Sequence, residues 1–293
     1  LYDSYFSRGM LCNPYAIFRE LLSNSEFDNF THVWVVDDRV GNEPVMEQFA
    51  DHNNIYVIRR HSNDHLKYLA TAHYIISNVS LPFYYCKKPG QIFVNTWHGT
   101  PIKSLGYDIP GSAATISNVL RNMLSADYMI SANPFLTEVY LDKYKLRGLY
   151  NGSIIEEGYP RNDRLLNCLK EEIKSLLLKY GIELEKDKQV ILYAPTWKGA
   201  DYNKPEVNPD DYYNFKRELE EYIDTDKYQI LLKPHQVVYK ELVKSGMVSN
   251  SLIPAFIDTN ELLSITDILI SDYSSIFFDF LASNKPVLFY IPD

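Results

Sequence analysis

Cysteine is scarce. The 293 residues hold three, Cys12, Cys86 and Cys168, an odd number at wide spacing with no CxxC among them. That excludes a disulfide framework and the usual zinc-site spacings, and it fits a reducing compartment. Positive charge is short as well. Lys and Arg total 29 against 38 Asp and Glu, a formal net charge of −9. Broad nucleic-acid binding rests on clustered cations and is excluded as the main role, although a local basic pocket for a small phosphate ligand is not. No stretch approaches the roughly 18 consecutive apolar residues of a membrane span. The opening "LYDSYFSRGM" lacks the shape of a signal peptide. Without such a signal, Asn78-Val79-Ser80 and Asn151-Gly152-Ser153 read as chance matches to the glycosylation pattern.

Several nucleotide and catalytic signatures are missing too. There is no GxxxxGK[ST], no GxGxxG and no GxSxG. The one D-x-D, Asp224-Thr225-Asp226, stands before Lys227 and an apolar run, where a turn is the simpler reading. No metal constellation emerges. Low-complexity segments and fixed-period repeats are absent. The chain begins without Met and stops just after "KPVLFYIPD", as an excised piece of a longer protein would.

What is present is a rhythm. Hydrophobic residues make up 46%, enough for one or two cores, and tyrosine is frequent at 24. Short apolar runs read as strands: "HVWVV" from His32, "IYVI" from Ile55, "YIIS" from Tyr74, "IFVN" from Ile92 and "YMIS" from Tyr128. Between them "NPYAIFRELLSN", "NDHLKYLATA" and "TISNVLRNMLSA" read as helices, with Asn13 and Asn63 as N-caps and Pro14 at a first helical position. "EEGYPRND" (Glu156 to Asp163) breaks the rhythm. A charged helix, "RLLNCLKEEIKSLLLKYG", follows, and then strands "VILYAP", "YQILLKP", "DILIS" and "PVLFYI". Alternation of this kind implies crossovers and a mostly parallel sheet. Two such series predict two Rossmann-like domains around a cleft, residues 1–158 and 159–293.

Open parallel sheets bind ligands at the carboxyl ends of their strands. Four groups of polar residues fall there. His98 follows "IFVN"; Thr196, Trp197 and Lys198 follow "VILYA"; Lys233 and His235 follow "YQILL"; Asp272, Ser274 and Ser275 follow "DILIS". His98 stands in "NTWHGTPIKSLGYD" as a turn brace or as a proton-transfer group. In "SDYSSIFFDFL" a helix starting near Ser274 or Ser275 offers N–H groups to a phosphate, or is simply capped. Asp279, about one and a half turns into that helix, is a candidate for ribose hydroxyls, or a solvated or capping acid.

Together "NTWHGTPIKSLGYD", "EGYPRND", "VILYAPTWKG", "LLKPHQ" and "ILISDYSSIFFDF…KPVLFY", in this order, resemble the CDP-glycerol glycerophosphotransferase family, the teichoic-acid primases and polymerases. "SYFSRGMLCNPYAIFREL" resembles its opening segment, so nearly the whole chain is covered. The resemblance implies an α/β fold of GT-B type, two Rossmann-like domains facing a central cleft, with the acceptor on the first and the CDP-activated donor on the second. It implies transfer of a glycerol phosphate from CDP-glycerol, or of ribitol phosphate from CDP-ribitol, to a hydroxyl of a lipid-linked teichoic-acid or capsule-type polymer, with release of CMP. No cofactor, metal or nucleic acid is called for. The implied location is cytoplasmic, peripheral to the inner face of a bacterial plasma membrane.

For the residues, His98 matches the position of the family's proposed catalytic base, with Gly99 and Thr100 completing its HGT signature and Asp272 supporting the site. His235 is a second catalytic candidate. Ser274, Ser275, Lys198 and Arg161 are candidates for the donor phosphates, and Thr196 and Asp279 for the nucleotide. A polyanionic acceptor calls for a local basic track, for which Lys143, Lys145 and Arg147 are candidates, against their reading as a solvated face. Two other classes remain open: a GT-B glycosyltransferase using a nucleotide sugar, and a non-catalytic module of a polymer synthase.

Overall fold

The computed structural model describes residues 1–111, 114–201, 204–206 and 208–291. The chain divides into two compact units, Leu1–Asp163 and Arg164–Asp293. The first unit runs β1 (Tyr2–Asp3), α1 (Cys12–Ser23), β2 (His32–Val35), α2 (Arg39–Glu47), β3 (Ile55–Ile58), α3 (Asn63–Thr71), β4 (Tyr74–Ser77), β5 (Ile92–Asn95), α4 (Ser117–Ser125), β6 (Tyr128–Ile130), α5 (Pro134–Glu138) and β7 (Ser153–Ile155). Its seven strands are all parallel, in the order β3-β2-β1-β4-β5-β6-β7. The order reverses between β1 and β4, the kind of switch point where α/β sheets open a crevice.

Both faces of this sheet are covered, as parallel strands require. Successive residues of β2 divide between two cores. Val33 and Val35 join Ile75, Phe93 and Met129 on one face, and Trp34 and Val36 join Tyr2, Phe18 and Ile76 on the other. The side-chain period of two makes this division inevitable once helices pack on each side.

α6 (Pro160–Asn167) holds the division between the units, and the second unit continues with α7 (Lys170–Lys179), β8 (Gln189–Tyr193), β9 (Lys198–Asp201), β10 (Lys204–Glu206), α8 (Pro209–Glu220), β11 (Tyr228–Leu232), α9 (Gln236–Lys244), α10 (Thr259–Ile265), β12 (Ile268–Ser271), α11 (Ile276–Phe280) and β13 (Val287–Phe289). A four-stranded parallel sheet has the order β11-β8-β12-β13, so its reversal lies between β8 and β12. Here too the strands are two-faced. Val190 and Leu192 meet Leu231 and Leu269 in one core, and Ile191 and Tyr193 meet Ile230, Leu232 and Ile270 in the other. β9 and β10 form a separate antiparallel pair.

The nine strands expected from apolar runs are all present, within two residues at each end. The structure corrects other local readings. Asn13 is not an N-cap: α1 starts one residue earlier, behind Leu11, and Asn13 is fully buried. At α3 the cap is Ser62, whose hydroxyl accepts from the amide of His65, and Asn63 is the first helical residue. "PRND" is helical rather than a break, because Pro160 sits where a helix start tolerates a missing N–H. The single charged helix is two, parted at Leu169, which is extended at φ −74°, ψ 105°. β1, β7 and α2 were not legible. β1 and β7 are two and three residues long, too short to show a period, and α2 contains Gly41 and Pro44, which disguise a helix held at its start by the Asp38 carboxylate.

Candidate active site

β5 ends at Asn95, and the chain then turns sharply. The Asn95 side chain accepts from the Trp97 amide at 3.1 Å, and Trp97 takes a left-handed φ of 51°. A local amide bond of this type is how Asn stabilises a turn without a glycine. Farther on in the same motif Gly106 has φ 60°, and a Cβ there would lie 2.2 Å from the Lys143 carbonyl, so only glycine fits.

The turn delivers His98. Its ring stacks on Trp97 at 4.7 Å and meets Tyr5 edge-on at 6.2 Å, yet it keeps an open face. Nδ1 lies 2.8 Å from the main-chain carbonyl of Asn78. A carbonyl can only accept, so Nδ1 carries the hydrogen and the neutral ring has its lone pair on Nε2. Burial, and secondarily the Arg161 charge, push the His98 pKa below its ordinary value, while the Asn78 carbonyl pulls the other way. A ring neutral at pH 7, with Nε2 as acceptor, is a competent proton acceptor.

Three residues brace this turn. The Asn13 amide donates to the carbonyls of Thr96 and Trp97, both at 3.1 Å. Arg161 donates from Nη1 to the His98 carbonyl at 2.8 Å and to Cys12 Sγ at 3.1 Å, and its own amide donates to Asn13 Oδ1 at 3.2 Å. Its guanidinium lies over the Tyr159 ring at 4.6 Å. Arg161 is only 4% exposed. Expected among donor-phosphate ligands, it is placed as a brace of the His98 loop. Asn78 bridges the β1/β4 reversal: Oδ1 accepts from the Tyr5 amide at 2.9 Å, and the side-chain amide reaches Ser4 Oγ at 3.4 Å. Gly99 and Thr100, the next two residues, are buried, with Thr100 Oγ1 taking a long bond from Asn133 at 3.4 Å. Sequence reading missed Asn13 and Asn78 as site residues. The only sequence signal was an Asn at the mouth of a helix and an Asn at a strand end, each explained locally.

In the second unit the candidates gather at the other reversal. Asp272, at the end of β12, accepts from the Thr196 amide at 2.8 Å and from the Thr196 hydroxyl at 2.9 Å, joining the exits of β8 and β12. Trp197 packs near His235, ring centroids 6.4 Å apart. His235 caps α9, its Nδ1 accepting weakly from the Val237 amide at 3.5 Å. In that arrangement the neutral ring carries its hydrogen on Nε2, the reverse of His98. Lys198 is exposed at the start of β9.

Ser274 and Ser275 occupy the turn before α11, and Ser274 Oγ accepts from the Ile276 amide at 3.3 Å. α11 has five residues, so its dipole is weak and local amides matter more. Asp279 lies in the first turn of that helix, only 5% exposed, neither solvated nor one and a half turns along. Lys233 is 8% exposed and donates to the carbonyls of Pro254 at 2.8 Å and Ile257 at 3.0 Å. Burial pulls its pKa down to about 7, against Asp258. It fastens the 254–258 loop and is not offered to a phosphate. No group of three or more His, Cys, Asp or Glu suited to a metal occurs among the described residues.

The family model described as CDP-Glycerol:Poly(glycerophosphate) glycerophosphotransferase matches residues 1–293. The chain belongs to this family. Its membership makes it an enzyme of the CDP-glycerol glycerophosphotransferase kind, on an α/β fold of GT-B type. A teichoic acid poly(glycerol phosphate) polymerase of Bacillus spizizenii is 34% identical over 313 residues, covering all of this chain and 73% of that protein. The protein of that description from Bacillus subtilis is 32% identical over 305 residues, covering all of this chain but 38% of the relative. The chain thus spans between about a third and three quarters of the relatives it matches. The wall teichoic acid polymerase TagF, solved as a histidine variant with CDPG, superposes with a TM-score of 0.76 at 28% identity, over 99% of this chain and 69% of that one. A putative UDP-N-acetylglucosamine 2-epimerase from Listeria monocytogenes shares the fold alone, at 12% identity and a TM-score of 0.52.

Proposed function

We propose that this family member transfers glycerol phosphate from CDP-glycerol to the terminal hydroxyl of a lipid-linked polyol-phosphate acceptor. The oxygen of that hydroxyl attacks the β-phosphorus, the bond to the bridging oxygen breaks, and CMP leaves with that oxygen. The first unit serves the acceptor: His98 Nε2 takes the hydroxyl proton as the new P–O bond forms. The second unit serves the donor: the His235 Nε2–H, the amides and hydroxyls of Ser274 and Ser275, and Lys198 stabilise charge on the phosphoryl oxygens, while Thr196 and Asp279 hold the nucleotide. Asp272 positions Thr196, and Arg161 with Asn13 positions His98.

The observation that carries the reading is the Nδ1–carbonyl bond of His98, which leaves Nε2 as the acceptor in a chain matched end to end by this family. The teichoic acid poly(ribitol-phosphate) polymerase of Bacillus spizizenii, 30% identical over 68% of this chain, keeps CDP-ribitol as the second donor. No helix among the described residues is long and apolar enough to cross a membrane. The proposed reaction has the lipid-linked acceptor reach the chain at the inner face of the membrane. The test is a donor panel of CDP-glycerol, CDP-ribitol and common UDP-sugars with a lipid-linked glycerol phosphate acceptor, following CMP or UDP release. CMP release only with a CDP-polyol and acceptor together supports the reading; UDP release, or none, overturns it.

A further inference from the structure

Two of the three cations expected for a polyanionic acceptor, Lys143 and Arg147, are already matched by carboxylates, and Lys145 stands exposed between them. Lys143 pairs with Asp108 at 2.6 Å, and Arg147 pairs with Glu138 at 2.6 Å and Asp142 at 3.1 Å. A different basic cluster stands at the carboxyl edge of the first unit's sheet. Arg8 follows β1, and Arg59, Arg60 and His61 follow β3. Arg60 Nη1 donates to the Phe6 carbonyl at 2.9 Å, and its guanidinium lies 5.6 Å from the Phe6 ring centroid. Its Nε is buried with no partner among the described residues. His61 Nδ1 lies 2.6 Å from the Tyr84 hydroxyl.

The cluster is under electrostatic and backbone strain. Burial, and then the like charge of Arg60, depress the pKa of Arg8. The enclosed carboxylate is a poor counter-ion. Asp3 Oδ1 already accepts from the Ser7 amide at 2.6 Å and hydroxyl at 3.1 Å, and burial raises its pKa. Asp37 lies at the rim, 3.7 Å from Arg59. The loop joining these groups takes three consecutive left-handed residues, Tyr5 at φ 49°, Phe6 at 59° and Ser7 at 64°. Non-glycine residues hold that conformation at a cost, and such strain persists where surroundings over-determine it, commonly at ligand sites.

We propose that Arg60 and Arg8, with His61 beside them, form a subsite for a phosphodiester group of the acceptor chain. The proposal deepens the reaction above and rests on it. Tyr5 touches the His98 ring while the next residue, Phe6, carries Arg60, so one loop joins the base to the cluster. Along the sheet, β1 is two strands from β5 and β3 is four, about 10 and 19 Å at the usual strand spacing. With the attacking hydroxyl at His98, Arg60 therefore meets a phosphate behind the terminal unit. Forked guanidinium donors suit a phosphodiester's two free oxygens better than a point charge. In a chain of net charge −9 such a pair gives the acceptor its local attraction.

The test uses the full chain and a fluorescently labelled synthetic tri(glycerol phosphate), with binding read by anisotropy and CDP-glycerol affinity measured in parallel. Arg60→Gln and Arg8→Gln are expected to weaken probe binding at least about tenfold, the scale of a lost charged hydrogen bond, with donor affinity unchanged. Arg60→Lys keeps the charge and guards against a folding artefact: it is expected to bind between wild type and Arg60→Gln. Lys174→Ala, which removes an exposed charge paired with Glu171, is expected to bind as wild type. Wild-type affinity in both Gln variants overturns the subsite, and if wild type still releases CMP the reaction stands. A wild-type chain that releases no CMP from CDP-glycerol overturns the reaction, and with it the basis of the subsite.

Discussion

The Nδ1 of His98 and the main-chain carbonyl of Asn78 lie 2.8 Å apart, and that single bond sets which ring nitrogen can act. Because the acceptor is a carbonyl, no side-chain replacement at residue 78 removes it. The Asn78 side chain instead holds the β1 exit through the Tyr5 amide, so one residue ties the imidazole to the reversal of the sheet.

Replacing His98 by Ala is expected to lower kcat by about 10²–10⁴-fold, the usual contribution of a positioned acid–base group. Affinity for CDP-glycerol should change little, since the groups proposed to hold the donor lie in the other unit. Steady-state kinetics with both substrates saturating decide it; a folded variant turning over near the wild-type rate removes His98 from the chemistry.

The pH profile follows from the same ring. Only neutral His98 accepts a proton, and its pKa is lowered, first by burial. The acidic limb of kcat should therefore fall below the ordinary imidazole value of about 6.5. An acidic limb above that value would contradict the environment described here.

Stability should also depend on acid. The buried His65 has its pKa pulled down to about 4, mainly by burial and further by His61 and Arg60. Its folded form stays neutral where the unfolded chain takes up a proton, so stability is full above about pH 6.5 and declines as pH falls toward about 4. The loss from this residue should not exceed about 3 kcal/mol. Urea denaturation across that window measures it, and His65→Gln should flatten part of the slope.

Arg161→Lys separates bracing from phosphate binding. The shorter lysine has no planar guanidinium to lie over the Tyr159 ring while one nitrogen reaches both the His98 carbonyl and Cys12. The expected result is a fall in kcat of roughly tenfold or more with donor affinity intact. A loss of CDP-glycerol affinity at unchanged kcat would return Arg161 to the donor phosphates.

Asp272→Ala removes both acceptors for Thr196 and releases the β8 exit. Calorimetric titration with CDP-glycerol should show affinity weakened by about tenfold or more, since two bonds to a carboxylate are lost. Ser274→Ala with Ser275→Ala should do less, because the backbone amides of that turn remain. Donor affinity unaltered by Asp272→Ala would mean that the Thr196 turn does not meet the nucleotide.

Much of the fold and of the candidate site was written along the chain. Apolar runs such as "YIIS" and "IFVN" marked strands to the residue, because a strand inside a parallel sheet covered on both faces needs a continuous apolar stretch. The strand-end rule then pointed to His98, His235, Thr196 and Asp272 without any coordinates. β1 could not be found this way, since two residues carry no period, yet it is central and its exit shapes the site.

What the sequence settled by itself, then, is what depends on near neighbours: strand periods, turn residues, and family motifs that are each only several residues long. What only the tertiary structure decided is what depends on distant partners. Asn13 looked like a cap and is a buried clamp on Thr96 and Trp97, 83 and 84 residues away. Arg161 looked like a phosphate ligand and holds the His98 carbonyl, 63 residues away. Lys233 stood at a strand end among the candidate ligand-binding residues and instead binds two carbonyls of a later loop. Arg8 and Arg60 fall on one edge because β1 and β3 are strands of one parallel sheet. A polar side chain at a strand end announces only that it needs a partner. Which partner it takes depends on the sheet order, and no local pattern encodes that order.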